Sequence, residues 1–348
     1  MSELSTCKHP LKAFKIGVNP DTGKDINKIT PYNVDHLWRR SPEDNYNYVY
    51  DDTKENTGIS YRSFKEIPCG KCIACRLKRS REWADRCMLE LPYHKQSYFV
   101  TLTYDDDHLR DGFTVEDNGF ITAYPTLIKE DLQKFFKRLR KNYKKDNHIK
   151  YYACGEYGSI TFRPHYHAII FGLELDDLEV YKQSRLGFNY YNSAFLNSCW
   201  SFGYVVIADV SWDTCAYTAR YILKKQLGEK SDIYDRLGIE PEFNTMSLKP
   251  AIGMDYFNEN KDKIYETDSI NISTPKGGRR IKPPKYFDSL LEKDNAALLE
   301  EIKSVRQESA DLKKKLMLDK TDQDYLSILE IEENLLQQRI KTLSRKEI

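Results

Sequence analysis

Between about residues 96 and 230 the apolar positions change period several times, and each change marks an element. Ser97–Tyr104 (SYFVTLTY) is dense in β-branched and aromatic residues and predicts a strand. Leu132, Phe135, Phe136, Leu139 and Tyr143 recur at helical spacing and predict an amphipathic helix over about 128–145. Its polar face carries Lys134, Lys137, Arg138, Lys141, Lys144 and Lys145. Strands follow at Ile149–Glu156 and Arg163–Phe171, joined by a short turn around Gly158. A helix near 190–200, a strand at Tyr204–Val210 and a helix at about 213–226 complete the block. The order β-α-β-β-α-β-α predicts an α+β fold, a mainly antiparallel sheet with helices on one face.

The flanks read differently. Residues 1–65 are polar, and Asn19, Pro20, Asp21 and Gly23 mark them as loops. A basic helix is expected over Arg76–Leu91, ended by Pro92. Residues 231–285 are loop-rich, with a basic patch at Lys276, Arg279 and Arg280. From 286 the composition turns to Leu, Glu and Lys. Leu291, Leu298, Val305 and Leu312 recur every seven residues, Thr321–Asp324 reads as a stop and restart, and Leu329, Leu336 and Leu343 follow. That pattern predicts a helical hairpin or a coiled-coil tail, a candidate for self-association. Four segments result: an arm and Cys-rich region (1–95), a core (96–230), a basic extension (231–285) and a helical tail (286–348).

Composition narrows the function classes. The 348 residues are 40% apolar and 31% charged, as in an ordinary globular protein. The net charge of +1 means that any attraction to phosphate comes from local clusters. No apolar run reaches the roughly 20 residues that span a bilayer, and the N-terminus lacks a signal-peptide core, so no membrane role is expected. An intracellular, reducing setting follows, in which the eight cysteines are thiols or metal ligands rather than disulfides.

Two constellations carry candidate chemistry. His165 and His167 flank one residue within a strand, so both imidazoles project from one face. The turn before them brings Glu156 alongside as a third ligand, and such mixed ligation with open positions suits Mn²⁺ or Mg²⁺. Taken alone, the pair reads equally as two packed or surface histidines. His94 and His108 are weaker candidates for a further ligand or a proton shuttle. Tyr217 and Tyr221, four apart, share one face of the predicted helix, and Arg220 and Lys224 each follow a tyrosine by three positions. A phenol becomes a nucleophile when a nearby cation stabilises its phenolate. The competing reading is a helix that packs two aromatics.

Histidine-x-histidine on a strand followed by Tyr-x-x-x-Tyr on a later helix resembles the HUH endonucleases of the two-tyrosine replication-initiator class. Thr101-Leu-Thr-Tyr104 resembles that family's first motif. Further segments are similar to the replication initiation proteins of gokushovirus-type microviruses. They are Pro68-Cys-Gly-Lys-Cys-Ile-Ala-Cys75, Ser80-Arg-Glu-Trp-Ala-Asp-Arg-Cys87, Gly155-Glu-Tyr-Gly158, Pro164-His-Tyr-His-Ala168, Tyr217–Lys225 and Ile252-Gly-Met-Asp-Tyr-Phe257. The resemblance runs from about residue 66 to 288. It implies an origin-specific enzyme of a small bacteriophage that nicks and rejoins single-stranded DNA and starts rolling-circle replication. It makes His165 and His167 metal ligands, Tyr217 and Tyr221 nucleophiles and Lys224 an assistant. The expected partners are single-stranded origin DNA and the host replication helicase or polymerase, in the bacterial cytoplasm.

Cys69, Cys72 and Cys75 stand at two-residue gaps, and Cys7 offers a fourth thiolate. Four thiolates make a closed zinc site that stabilises structure. An iron–sulfur cluster or free thiols are the other readings, and nicking needs no redox chemistry. Cys87 and His9 are substitute ligands, and Cys154, Cys199 and Cys215 read as buried thiols. The basic residues 71–86 and the basic face at 134–145 are candidates for one phosphate-binding track, with Trp83 and Tyr98 as stacking aromatics or core. A zinc-stapled nucleic-acid-binding module without catalysis accounts for the cysteines and the basic stretches, but not for the histidines and tyrosines together.

Overall fold

The computed structural model describes residues 7–51, 57–115, 119–158, 161–184, 187–211, 214–215, 218–219, 231–274 and 277–342. They fall into two compact units. The first comprises the described residues up to 78 and from 314 onward, and the second those of 79–313.

In the first unit, residues read from sequence as loops form short strands: β1 (Leu11–Val18), β2 (Asp25–Pro31), β3 (His36–Arg39), β4 (Asn47–Val49), β5 (Ile59–Tyr61) and β6 (Phe64–Ile67). They make two three-stranded antiparallel sheets, β2-β1-β6 and β4-β3-β5. Their shared core is small, built on Phe14, Val34 and Leu37. Helix α1 (Ile73–Glu90) follows, and Pro92 lies in the 3₁₀ turn that ends it.

The second unit is built on β7 (Ser97–Tyr104), β10 (Lys150–Tyr157), β11 (Pro164–Phe171) and β14 (Gly203–Asp209), close to the strands expected there. Between them lie the hairpin β8 (Asp111–Val115) and β9 (Ile121–Pro125), helix α2 (Lys129–Asn142), β12 (Leu178–Gln183), β13 (Asn189–Ser193) and helix α3 (Ala194–Trp200). The start of the expected 190–200 helix is thus strand β13, and Ser193 is the N-cap whose hydroxyl accepts from the Leu196 amide. Later come α4 (Asp232–Leu237), β15 (Phe243–Met246), α5 (Met254–Thr267), the hairpin β16 (Ile270–Thr274) and β17 (Gly277–Ile281), α6 (Lys285–Asp294), α7 (Ala296–Leu318) and α8 (Tyr325–Thr342). The stretch 231–285, expected as loops, therefore carries two helices and a hairpin.

The main sheet runs β12-β13-β14-β7-β11-β10-β15, and all its pairs are antiparallel. One face buries Leu102, Tyr166, Ile170 and Val205 against Leu132, Phe135 and Leu139 of α2 and Trp200 of α3. Those helices are the expected covering layer. The opposite face is covered as well: Phe99, Ile169, Phe171 and Tyr152 pack on Ala84 and Cys87 of α1 and on Cys215, Ala219 and Ile252. Interior strands whose successive residues are all apolar need a layer on both sides, and β11 is of that kind.

Leu299 of α7 joins the core formed by α5, β16, β17 and α6, whereas Val305 and Leu312 are 64% and 58% exposed. Leu336 of α8 packs with Cys72 and Ala74 in the first unit. Among the described residues, no helix is long and apolar enough to cross a membrane.

Candidate active site

Register builds the site. Glu156 pairs with His165 across β10–β11, and His165 and His167 pair with Thr103 and Thr101 of β7. Alternation puts all five side chains on the face that also carries Phe99, Ile169 and Phe171. Tyr166, between the histidines, points the other way. Its hydroxyl meets that of Tyr104 at 2.8 Å, donates to the Ile128 carbonyl at 2.9 Å and accepts from the Ile128 amide at 2.8 Å. That anchor fixes the middle of β11. Gly155 serves the same end beside Glu156, since a Cβ there would lie 2.9 Å from the Phe243 ring and 3.0 Å from Leu127.

His165 Nε2 lies 2.6 Å and His167 Nε2 3.1 Å from Glu156 Oε1. The other ring nitrogens are engaged: His165 Nδ1 is 3.1 Å from the Arg163 carbonyl, and His167 Nδ1 is 3.0 Å from Thr101 Oγ1. A carbonyl only accepts, so His165 Nδ1 carries the proton and Nε2 is the nitrogen available to a ligand. Outer contacts of this kind set the tautomer and orientation of metal-binding histidines. Phe99 stacks on the His167 ring at 5.3 Å, and the two imidazoles stand at 89°. Burial alone would push the Glu156 carboxyl up; hydrogen bonds from His165 and then His167 overcome this and hold it well below the usual carboxylate range. One carboxylate and two imidazole nitrogens, all within 4.8 Å, form a donor set that fits a divalent cation.

Thr101 and the Arg163 carbonyl, which orient the two rings, carry no motif signal of their own. The period-2 pairing of β7 with β11 would have found Thr101. His94 and His108 lie elsewhere: His94 is 2.6 Å from Glu90, and His108 is 2.6 Å from Asp105. Tyr217, Arg220, Tyr221 and Lys224 fall outside the described residues. Their described neighbours Thr218 and Ala219 are helical and fully buried, and the Thr218 hydroxyl donates to the Thr214 carbonyl at 2.9 Å. Cys215 and Ala219 pack on the histidine-bearing face of the sheet.

A second constellation forms within the first unit. The sulfur atoms of Cys7, Cys69, Cys72 and Cys75 lie within 4.8 Å of one another, with Cys7 and Cys72 at 3.9 Å. A disulfide has sulfur atoms about 2.05 Å apart, whereas a tetrahedral site with Zn–S near 2.3 Å places them roughly 3.8 Å apart. Backbone amides donate to two of the sulfurs, from Cys69 to Cys7 at 3.2 Å and from Cys72 to Cys69 at 3.3 Å. Gly70 takes the left-handed conformation (φ +73°) that turns the chain between the first two ligands. The hydrogen bond from Cys7 is the largest influence on the Cys72 thiol and holds it down at about 3, while the same contact pushes Cys7 up. Cys87 is fully buried in the second unit's core, and His9 pairs with Glu333 at 2.6 Å. Cys154, Cys199 and Cys215 are buried.

The single phosphate-binding track expected from the basic clusters is not what the structure builds. Helix α2 covers one face of the main sheet and Ala84 and Cys87 of α1 cover the other, so the sheet lies between their basic residues. Several of those residues also serve the fold. Arg138 donates to the carbonyls of Cys199 and Trp200, and Arg86, between the rings of Trp83 and Tyr286 at 4.2 Å each, donates to the Ile252 carbonyl. Arg279 is 3.4 Å from Asp85, Arg280 donates to the Thr267 carbonyl, and Lys276 is outside the described residues. Trp83 stacks on Tyr152 and Tyr98 is 7% exposed, so both belong to the core.

A family model for replication-associated proteins of the ORF2 type matches residues 97–226, the span of the main sheet and its histidines. The chain is 37% identical over 309 residues to the "Replication-associated protein ORF2" of Spiroplasma virus 4, covering 86% of this chain and 88% of that one. It is 30% identical over 247 residues to the "Replication-associated protein VP4" of Bdellovibrio phage phiMH2K, covering 71% and 73%. It is 32% identical over 237 residues to the "Replication-associated protein ORF4" of Chlamydia phage 1, covering 65% and 54%. No solved structure gives a significant match. Identity of this extent to the first two proteins, over most of both chains, decides the family: the chain belongs to the replication-associated proteins of small bacteriophages, as a replication initiator of the gokushovirus type.

Proposed function

We propose that the protein nicks single-stranded DNA at the phage origin and later rejoins it, starting rolling-circle replication through a 5′-phosphotyrosine intermediate. One observation carries the reading. Glu156, His165 and His167 converge on the sheet face against which Cys215 and Ala219, neighbours in sequence of Tyr217 and Tyr221, are packed. A Mn²⁺ or Mg²⁺ ion held by these three side chains would polarise a non-bridging oxygen of the scissile phosphate.

The chain's own residues do the rest. His165 and His167 present Nε2 because Arg163 and Thr101 hold their other nitrogens. Tyr217 or Tyr221 attacks phosphorus in line; the Tyr O–P bond forms, the P–O3′ bond breaks, and the departing oxygen leaves as a 3′-hydroxyl after taking a proton. Arg220 and Lys224 stabilise the phenolate and hold the phosphate. The second tyrosine cleaves the regenerated origin while the first still holds its strand.

Incubation with single-stranded origin DNA tests the proposal. Cleavage that needs Mn²⁺ or Mg²⁺, stops with chelator and disappears in His165→Ala and His167→Ala supports it. Binding without cleavage under confirmed cation occupancy would instead favour a zinc-stapled DNA-binding module, the reading the four cysteines alone support. Zinc is the proposed occupant of that cysteine site. Action in the host cytoplasm beside the host helicase and polymerase completes the proposal, with self-association through the exposed Val305 and Leu312.

A further inference from the structure

Strand β14 shows both of its faces plainly. Val205 and Ile207 are buried in the core beneath α2 and α3, so Tyr204 and Val206 point to the face that carries His165 and His167. Tyr204 pairs with Thr103, Thr103 with His165, and His165 with Glu156. These four residues form one row across four adjacent strands. With strands about 4.8 Å apart, the Tyr204 backbone stands roughly 10 Å from that of His165.

Tyr204 is 66% exposed although its strand lies between β13 and β7, inside the sheet. Thr101, Thr103 and Val206 around it are half-buried. The core that packs Phe99, Ile169 and Phe171 on this face therefore gives way, at the histidine end, to an open polar patch with a single large ring at its margin. The backbone under that ring is fixed. Gly203 has φ +144°, and a Cβ on it would lie 2.3 Å from the Asp105 nitrogen and 2.4 Å from the Thr103 carbonyl oxygen. Only glycine lets β14 approach β7 this closely. The indole of Trp200 donates to the same Thr103 carbonyl at 3.1 Å from the opposite face.

We infer that Tyr204 is the stacking platform for a base of single-stranded DNA, next to the nucleotide whose phosphate sits at Glu156, His165 and His167. The inference rests on the nicking function proposed above and adds to it a base subsite on β14. An exposed ring on a rigid strand loses little conformational freedom on stacking, and every base offers a π-face. Its contribution is to hold the strand in register with the metal centre, through the ring rather than the hydroxyl.

The test uses full-length protein and origin oligonucleotides carrying 2-aminopurine at successive positions around the nick. Tyr204→Leu should weaken DNA binding by about 5- to 140-fold, the range for loss of one aromatic stack. It should also abolish the quenching seen at one position, while Mn²⁺ affinity, read by electron paramagnetic resonance, is unchanged. Tyr204→Phe should restore both affinity and quenching. If Tyr204→Leu binds and quenches like the unmodified protein, the platform is refuted while wild-type nicking leaves the proposed function intact. If Phe fails to rescue, the ring is not the active feature and the inference is likewise overturned. Failure of the wild-type protein to nick would instead remove the function on which the platform depends.

Discussion

Glu156 faces His165 directly across the β10–β11 pair, with Oε1 2.6 Å from Nε2, and the same oxygen lies 3.1 Å from His167 Nε2. A single carboxylate thus ties together two imidazoles whose remaining nitrogens are already committed to Arg163 and Thr101. The preorganisation lies in the outer contacts as much as in the three ligands.

Thr101→Val separates the two. It keeps the shape of the side chain and removes the oxygen that orients His167. Loss of such a partner typically costs about 10- to 100-fold in metal affinity or activity. Manganese titration should show that decrease, and His167→Ala should lose binding altogether. Unchanged affinity in Thr101→Val would mean that the hydroxyl does not orient the ring.

A buried ion-pair network elsewhere in the same unit sets a pH limit on stability. Glu90 is fully buried, 2.6 Å from His94 and 2.7 Å from Lys150, and accepts from the Gly253 amide at 2.6 Å. Burial pushes its carboxyl up, but the bonds from His94, Lys150 and Gly253 outweigh that and hold it below the usual range. A folded-state value below the unfolded one stabilises at every pH above about 4.3 and loses that contribution as pH falls further. Glu90→Ala should cost about 3–5 kcal/mol near neutral pH, because Lys150 and His94 lose a buried partner. Urea unfolding near pH 7 and near pH 4 checks it: the gap between wild type and variant should narrow in acid, and a constant gap would contradict the assignment.

The main sheet was legible because its strands are long and dense in β-branched and aromatic residues, as Ser97–Tyr104 is. The pairing of Glu156 with His165 followed from the short turn between their strands. Strands β3, β4 and β5 were missed because they are only 4, 3 and 3 residues long, too short to show a period. Leu178–Gln183 was missed because it is an edge strand with five exposed residues of six, which erases the alternation. The seven-residue recurrence after 286 also misled in part. Asn295 separates α6 from α7, so Leu291 and Leu298 lie on different helices, and Val305 and Leu312 remain exposed. The face on which α1 packs was not readable, since sequence gives a helix an apolar stripe but not a partner.

The cysteine cluster predicts a structural rather than a catalytic metal. Purified protein should carry tightly bound zinc by elemental analysis, and Cys69→Ser should lose it and lower the melting temperature of the first unit. Such sites contribute folding free energy directly. Iron in place of zinc, or full stability without metal, would contradict the assignment.

The central claim is tyrosine nucleophilicity at the Glu156–His165–His167 face, and covalent capture tests it most directly. Wild-type protein, Mn²⁺ and labelled single-stranded origin DNA should yield a detergent-stable protein–DNA band whose digest carries the nucleotide on Tyr217 or Tyr221. Tyr217→Phe combined with Tyr221→Phe should abolish the band while DNA affinity stays within about threefold, because a lost hydroxyl removes at most a weak hydrogen bond from binding. A covalent band that persists in the double variant, or an adduct mapped to any other residue, would contradict the account.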